Sequence, residues 1–392
     1  DAVDFDADYS AIQLFTQSAR RARPDFDLQD NDLRLVVDIC RMVQGMPLGI
    51  LLAAAWVEML SLEEIVEEMR HNFDFLETDI RNMPERHRSL RAIFDYSWEM
   101  LSDEEKHVFA RLSIFRGGCN RRAAQKIIGA SLRTLTGLVS KSLLRRDPDT
   151  GRYELHELLR QYAAECLETL GEGDEMRHAH SKHFAQNMHR YESGLAGGRQ
   201  LEALDEIEDD LDNIRIGFKW AVKHNDYQSV IDYATSLDLF YLLRNHHEEM
   251  IDMFEYAFKA FKRTKDDSPL ATKALGRVMA RSARALWRMD AQDLPHLREN
   301  LERALKIAED NDDTNEVIFC LQLMSHVYLH EERDLDDIWA LAERRVDLST
   351  QIGNKNGEAD AYFQMGYLSA RKDNLEDLEY YTRRSYEIYQ EI

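Results

Sequence analysis

Proline and glycine are scarce in this 392-residue chain, at six and 17. Few positions can break a helix or take a left-handed turn without strain. The abundance of Leu, Ala, Glu, Arg and Met that fills the rest predicts a mainly helical protein. Cysteine is rarer still. Cys40, Cys119, Cys166 and Cys320 lie far apart with no CxxC spacing. Three of them sit in apolar helical patterns that suit reduced, buried thiols, which predicts a reducing, cytoplasmic setting. No apolar run is long enough to span a membrane; residues 50–60 make up about half of the length needed. The first residues are acidic rather than basic, so no secretory leader is expected. A phosphate loop is missing as well. GxxxxGK[ST] occurs nowhere, Gly117-Gly118 and Gly197-Gly198 lack the Lys-Ser/Thr that would follow, and no strand pattern ends in paired acids for Mg²⁺. This stretch is therefore not expected to hydrolyse ATP.

Charge of one sign is in excess. Asp and Glu number 73 against 50 Lys and Arg, a net −23. Such a field argues against nucleic acid or an anionic membrane as partner of the chain as a whole, and leaves a local basic patch open. A hydrophobic content of 44% is ordinary for a folded protein, and the length predicts two to four cores rather than one.

The most informative stretch is Gly45-Met46-Pro47-Leu48-Gly49, followed by the small apolar run 50–56. A turning glycine precedes a proline at the first turn of a helix, where the missing N–H costs nothing. The Ala and Leu residues behind it let that helix sit close to its neighbour. Residues 10–86 read as a helical unit. Ser10 is a candidate cap for a helix bearing Ile12, Leu14 and Phe15 that closes at Arg20-Arg21 before Pro24. A second helix follows Asn31, and a Ser61/Glu64 capping box precedes Ile65, Met69 and Phe73.

The rhythm then changes. Short helices are expected at 90–100, 103–114, 121–128 and 131–141, with Ser102 and Glu105 as a second capping box. The runs 143–146 and 152–155 flank Asp147-Pro148-Asp149-Thr150-Gly151, dense turn chemistry that predicts a β-hairpin. Helices and a hairpin in this order make a winged helix, followed by an amphipathic helix over 156–170.

From about 175 onward everything reads as helical hairpins. Units near 227–264, 270–311, 315–353 and 357–392 recur at roughly forty residues, close to known helical repeats. Ala283, Ser325 and Gly366 occupy matching small-residue places, and 361–367 is the best fit to a tetratricopeptide first helix. The last unit stops at Ile392 without the polar cap a solenoid requires, so the natural chain is expected to continue. The expected fold is a mainly α protein: a helical bundle and a winged helix with a short β-hairpin, then a TPR-like α-solenoid.

One ordered set of residues is more specific. Glu85-Arg86-His87-Arg88-Ser89-Leu90, Phe94, Ser97-Trp98 and Leu101-Ser102 precede Leu112-Ser113-Ile114-Phe115 and Gly117-Gly118. Lys141-Ser142-Leu143-Leu144 and Leu155-His156-Glu157-Leu158 follow. Behind the Gly45/Pro47 element, this order resembles the regulatory half of the NB-ARC subgroup of STAND proteins (signal-transducing ATPases with numerous domains), bacterial transcriptional regulators above all. Asp212-Asn213-Ile214-Arg215 through Trp220-Ala221 resembles the linker into their repeats and carries the likeness to about 225. The resemblance implies a helical domain over 1–86, a winged helix over 87–170, a helical linker over 171–225 and TPR-like sensor repeats over 226–392.

The resemblance also implies roles. Pro47, with Gly45 permitting the approach, would contact the base and sugar of bound ADP or ATP, and His156 the ADP β-phosphate in a closed state. Read from its residues alone, His156 is equally an ordinary helix-start residue packing under the wing. The nucleotide and its Mg²⁺ belong to the longer parent, an ATPase whose upstream nucleotide-binding domain would be this chain's partner. This stretch alone carries no cofactor. The repeats would receive an inducer ligand or protein, and activation would bring oligomerisation. Trp287, Tyr328, Trp339, Tyr362 and Tyr367 are candidates to line that surface, or else inter-helix core.

Other candidates are weaker. His178, His180 and His183 cluster, and His326 with His330 has i,i+4 spacing, but HExxH order and a third ligand are missing. These read as exposed helix histidines, and no metal is expected. The acidic run from Glu202 to Asp212 alternates with Leu201, Leu204, Ile207, Leu211 and Ile214, so it reads as the solvated face of a helix. The rival function is a DNA-binding winged-helix regulator with a helical sensor, using Arg133 and Lys141 near the third helix and Arg145, Arg146 and Arg152 on the wing. The acidity of the chain argues against it.

Overall fold

The computed structural model describes residues 5–29, 32–43, 45, 47–71, 90–288 and 294–392. Met46, Asn31, Phe73 and the segment 85–89 lie outside the described residues. The chain divides into two compact units, Asp1–Arg177 and His178–Ile392.

The first unit opens with α1 (Phe5–Ala22), α2 (Leu33–Met42), α3 (Pro47–Ala55) and α4 (Leu62–His71). Ser10 lies inside α1 rather than capping it, because the helical pattern extends a further turn and more toward the N-terminus. Arg20 and Arg21 occupy its last turn, where cations suit the helix dipole. α1 packs on α3, with Phe15 and Ala19 buried on one and Leu52, Ala53 and Ala54 on the other. The Ser61/Glu64 capping box forms in both directions, at 2.8 and 3.3 Å.

The unit continues with α5 (Leu90–Glu99), α6 (Asp103–Leu112), α7 (Arg121–Ile128) and α8 (Leu132–Ser140). β1 (Arg145–Arg146), β2 (Tyr153–Glu154) and α9 (Glu157–Thr169) complete it. Ser102 and Glu105 cap α6 reciprocally, Asn120 caps α7 and Ser131 caps α8. β1 pairs antiparallel with β2, Arg145 opposite Glu154 and Arg146 opposite Tyr153. Cys119 adds a bridge to Tyr153 that its glycine-flanked position did not signal. The aromatic centre is built by Phe94, Trp98, Phe109 and Tyr162, with ring centroids 5.7–6.4 Å apart. Tyr162 donates to Asp95 at 2.8 Å.

α10 (Gly173–Leu195) leads into the second unit, followed by α11 (Gln200–Asp209) and α12 (Leu211–Lys223). Four helical hairpins then follow: α13 (Tyr227–Leu243) with α14 (His247–Thr264), and α15 (Pro269–Arg288) with α16 (Leu294–Asp310). The last two are α17 (Thr314–His330) with α18 (Leu335–Ile352), and α19 (Lys355–Arg371) with α20 (Leu375–Glu391). Each packs on the next in sequence, the arrangement of a TPR-like solenoid. Where glycine is scarce, other residues take the left-handed turns between helices: Asn225, Asn245, Lys265, Asp312, Glu332 and Asp373 all have φ between 51° and 61°. Ala283 and Ser325 are buried in the stack as their spacing predicts.

The linker signature turns out to be a packing node. Asn213 is fully buried and hydrogen-bonds the ring of His180 at 3.1 Å. Tyr233 donates to the Ser181 carbonyl at 2.8 Å, and the Ser181 hydroxyl donates to the Gly217 carbonyl at 2.7 Å. A Cβ on Gly217 would fall 2.2 Å from the Tyr233 hydroxyl, so the close approach needs glycine. Leu204, Ile207, Leu211 and Ile214 are buried beneath the acidic run, whereas Leu201 is exposed because it sits in the first turn of α11.

Two predictions follow from this node. Gly217→Ala should cost about 1–3 kcal/mol in urea unfolding, and the Gly217→Ala, Tyr233→Phe double variant should cost less than the sum of the singles. Additive losses would show that the hydroxyl is not what the methyl strikes. Burial pushes His180 down to about 4, against the pull of Asn213. The unfolded chain therefore takes up this proton first as pH falls below 6.5, and stability should drop by roughly 3 kcal/mol before levelling near pH 4. His180→Gln should flatten that part of the pH profile; an unchanged slope would exclude His180 as its source.

Candidate functional site

Val43 is the C-cap of α2, and the chain turns at Gly45, whose φ of 70° is left-handed and whose N–H donates to the Cys40 carbonyl at 2.9 Å. Pro47 is exposed as the first residue of α3. Behind it Gly49 lies against Val43; a Cβ there would sit 2.9 Å from the valine side chain. The glycine–proline turn is thus clamped tightly onto the end of α2.

His156 reaches the same place from the winged helix. It is the N-cap of α9, and its Nδ1 accepts the Leu158 N–H at 3.1 Å. That leaves the ring proton on Nε2, which is buried and has no hydrogen-bond partner among the described residues. Burial lowers its pKa below the usual histidine value, and the backbone of Val43 raises it in part. His156 is therefore neutral at pH 7, with one N–H to donate. The structure brings His156 to Val43, the residue that closes α2 just before Gly45 and Pro47, although more than a hundred residues separate them in sequence.

The winged helix presents a second chemistry on its surface. Residues 101–168 hold twelve Lys and Arg against nine Asp and Glu, a local excess of cations on a chain of net charge −23. Arg121, Arg122, Lys126, Arg133, Arg145 and Arg146 are exposed. Lys141 is engaged by Glu105 at 2.7 Å, and Arg152 donates to the Gly117 and Gly118 carbonyls. These two are structural rather than free.

In the repeats the five candidate aromatics do not converge. Trp287 and Tyr328 pack against the core cluster around Leu301 and Leu323. Arg333 lies over the Tyr328 ring at 4.1 Å. Trp339 donates to Glu343 at 2.7 Å and meets Tyr381, which stacks on Tyr362. Tyr367 is exposed and accepts from Arg371 at 3.2 Å.

An arginine stripe, not among the residues expected from sequence, runs along α15. Arg277, Arg281, Arg284 and Arg288 recur on one face of α15 at i, i+4, i+7 and i+11. Arg277 bonds Asp313 at 2.8 Å, Arg284 bonds Asp238 at 2.8 Å, and the fully enclosed Arg281 pairs with the equally enclosed Glu316. Burial pushes the Asp238 and Glu316 carboxyls up against the pull of these arginines. Burial opposes ionisation of Asp313 too, but Arg277 and Lys273 prevail and hold it low. The spacing of the arginines with acids one helix pair away would have revealed the stripe.

The histidine clusters are not what their spacing suggested. His178 is exposed, but His180 is buried and His183 half-buried among aromatic neighbours, because α10 is enclosed by α12 and α13. Among the described residues no group of His, Cys, Asp and Glu could hold a metal ion. No helix described is long and apolar enough to cross a membrane.

The family model "Winged helix-turn-helix domain" matches residues 101–168. These residues are a winged helix. Two proteins whose names describe them as HTH-type transcriptional regulators are 32% identical to this chain over 260 residues. They come from Mycobacterium bovis and Mycobacterium tuberculosis, and the match covers 62% of the chain and 28% of each regulator. An uncharacterized protein of Mycobacterium tuberculosis is 33% identical over 200 residues, 48% of the chain and 51% of that protein. The chain thus spans about a quarter to a half of the length of these relatives. A crystal structure of a STAND protein with a tetratricopeptide repeat sensor, from Pyrococcus horikoshii, aligns with 98% of this chain and 69% of its own, at 14% identity and a TM-score of 0.47.

Proposed function

We propose that this chain is the regulatory and sensor part of an NB-ARC-type nucleotide switch. The single observation that carries this reading is the buried Nε2–H of His156, which completes no hydrogen bond among the described residues and has only the Val43 backbone near it, at the end of α2 that leads into Gly45 and Pro47. A buried donor whose hydrogen bond is incomplete is costly to leave so, and it fits the phosphate oxygen of a nucleotide held by an upstream domain. Gly45 leaves open space at the turn, since nothing lies within 4 Å of a Cβ built on it. His156, Gly45 and Pro47 would hold ADP or ATP, whose phosphates supply the difference between closed and open states.

The chain's own part is to hold the closed state and to receive the signal. His156 is kept in one tautomer by Leu158, so its donor is oriented before any nucleotide arrives. Moving such a switch from mostly closed to mostly open takes about 5 kcal/mol of differential affinity, within the range of a partner on a repeat surface. In the longer protein carrying the nucleotide-binding domain, His156→Ala should speed ADP release about ten-fold or more, the loss of one hydrogen bond to a charged group. Unchanged release from a normally folded variant would sink this reading.

A second reading is favoured by the exposed arginines of the winged helix and by the names of the mycobacterial relatives: direct DNA contact through α8 and the wing. It predicts a gel shift that weakens with salt, and a salt slope that falls by about one for each of Arg133→Gln, Arg145→Gln and Arg146→Gln. No shift at low salt would exclude it.

A further inference from the structure

On the repeat unit, α15, α17 and α19 together line an open cavity of about 290 Å³. It is the place where the arginine stripe ends. Trp287, Phe319 and Leu323 form its apolar walls, and Arg284, Arg288 and His326 supply polar heads. The charges around it are spent unequally. Arg284 is matched by Asp238 on α13 at 2.8 Å. Asp360 accepts from Gln322 at 2.9 Å and pairs with the enclosed Arg345 of α18, so its negative charge is neutralised from behind. Arg281 is matched by Glu316 and lies over the Phe319 ring at 4.0 Å. Arg288 has no ion pair or hydrogen bond among the described residues, although its charge acts on the Asp238 carboxyl; it is exposed and lines the cavity. A guanidinium without an ion-pair partner among the described residues therefore lines a pocket with an indole and a phenyl wall, on a protein whose net charge is −23.

The geometry points to a binding site for a small planar monocarboxylate, its ring between Trp287 and Phe319 and its carboxylate on the fork of Arg288 with Arg284 beside it. A guanidinium fork matches a carboxylate in two parallel hydrogen bonds, and an aromatic wall favours a flat apolar body. A single cation without an ion-pair partner among the described residues calls for a single negative charge. A phosphate dianion would be left half-compensated beside Asp360. The cavity is at the small end for ligand pockets and suits one or two fused rings rather than a nucleotide or a peptide. The neutral His326 closes one side, between Asp360 on α19, Arg345 on α18, and Arg284 and Arg288 on α15. An arriving carboxylate would add to the pull of Asp360, so binding should tighten as the solution is made acidic enough to protonate His326.

This site rests on reading the repeats as the sensor, but its test needs neither nucleotide nor an upstream domain. The 392-residue chain is titrated with benzoate, indole-3-acetate, benzamide, benzylamine and phenyl phosphate by calorimetry and saturation-transfer NMR. The two carboxylates should bind at millimolar concentrations or below, ahead of phenyl phosphate, while the amide and the amine should not bind. Arg288→Gln should weaken the carboxylates about ten-fold or more at an unchanged melting temperature, and Arg288→Lys should recover part of the loss. Equal binding of benzamide, stronger binding of phenyl phosphate, no carboxylate binding, or an Arg288→Gln variant that binds normally would each overturn the assignment. Such a failure would leave the effect of His156→Ala on ADP release untouched. Conversely, carboxylate binding with unchanged ADP release from His156→Ala would keep the pocket and remove the switch.

Discussion

A charge carried into a stack of helices cannot be left alone, and the repeat unit is organised around that constraint. Arg281 and Glu316 are each enclosed almost completely, as are Arg345 and Asp238. Taking one such ion out of water costs several kcal/mol, and removing a single partner typically costs as much as or more than the pair contributes. The pairs therefore act on register more than on net stability. α15 can meet α13 and α17 only where Asp238, Asp313 and Glu316 fall opposite its arginines. A slip by one helical turn would bury several charges unmatched. Apolar contacts such as Leu301 with Leu323 supply the attraction between helices but tolerate sliding; the ion pairs do not.

The same unit shows what a linear pattern can and cannot disclose. The four hairpins fall close to where a forty-residue recurrence of apolar and small positions puts them, because each hairpin is a local structure with its own 3.6-residue period. Capping boxes at Ser61 and Ser102 are legible for the same reason: donor and acceptor lie three residues apart. What was not legible is long-range. Nothing near Cys119 announces its bridge to Tyr153, and nothing near His180 announces that Asn213 buries it. Three histidines within six residues look alike in sequence, and only the packing of α12 and α13 on α10 tells the exposed one from the buried ones.

The candidate site of the first unit follows the same division. Gly45 and Pro47 are recognisable as a turn and a helix start from local chemistry alone. His156 is recognisable as a helix-start residue. Their meeting at Val43 depends on how a helical bundle and a winged helix dock, and no spacing rule reports that. The physical cue that singles out His156 is equally non-local. A histidine capping its own helix through Nδ1 has only Nε2 left to satisfy, and the fold encloses that atom near the Val43 backbone without completing a hydrogen bond to it.

Charge shows the contrast at the scale of the whole chain. The acids lie mostly outside, as on α11, where Glu202, Asp205, Glu206, Glu208 and Asp209 are exposed. Cations are drawn to particular places: the surface of the winged helix and the interior of the repeats. A diffuse negative surface keeps the protein dispersed and repels anions at long range. An anion that reaches the end of the arginine stripe meets the opposite field at short range, where low-dielectric walls strengthen it. Selectivity then comes from the difference between the two. Weakly charged, flat ligands cross the outer field at little cost and gain fully from the inner one, whereas polyanions are repelled before they arrive. That ordering follows from where the charges sit, and it is independent of which carboxylate the cavity holds.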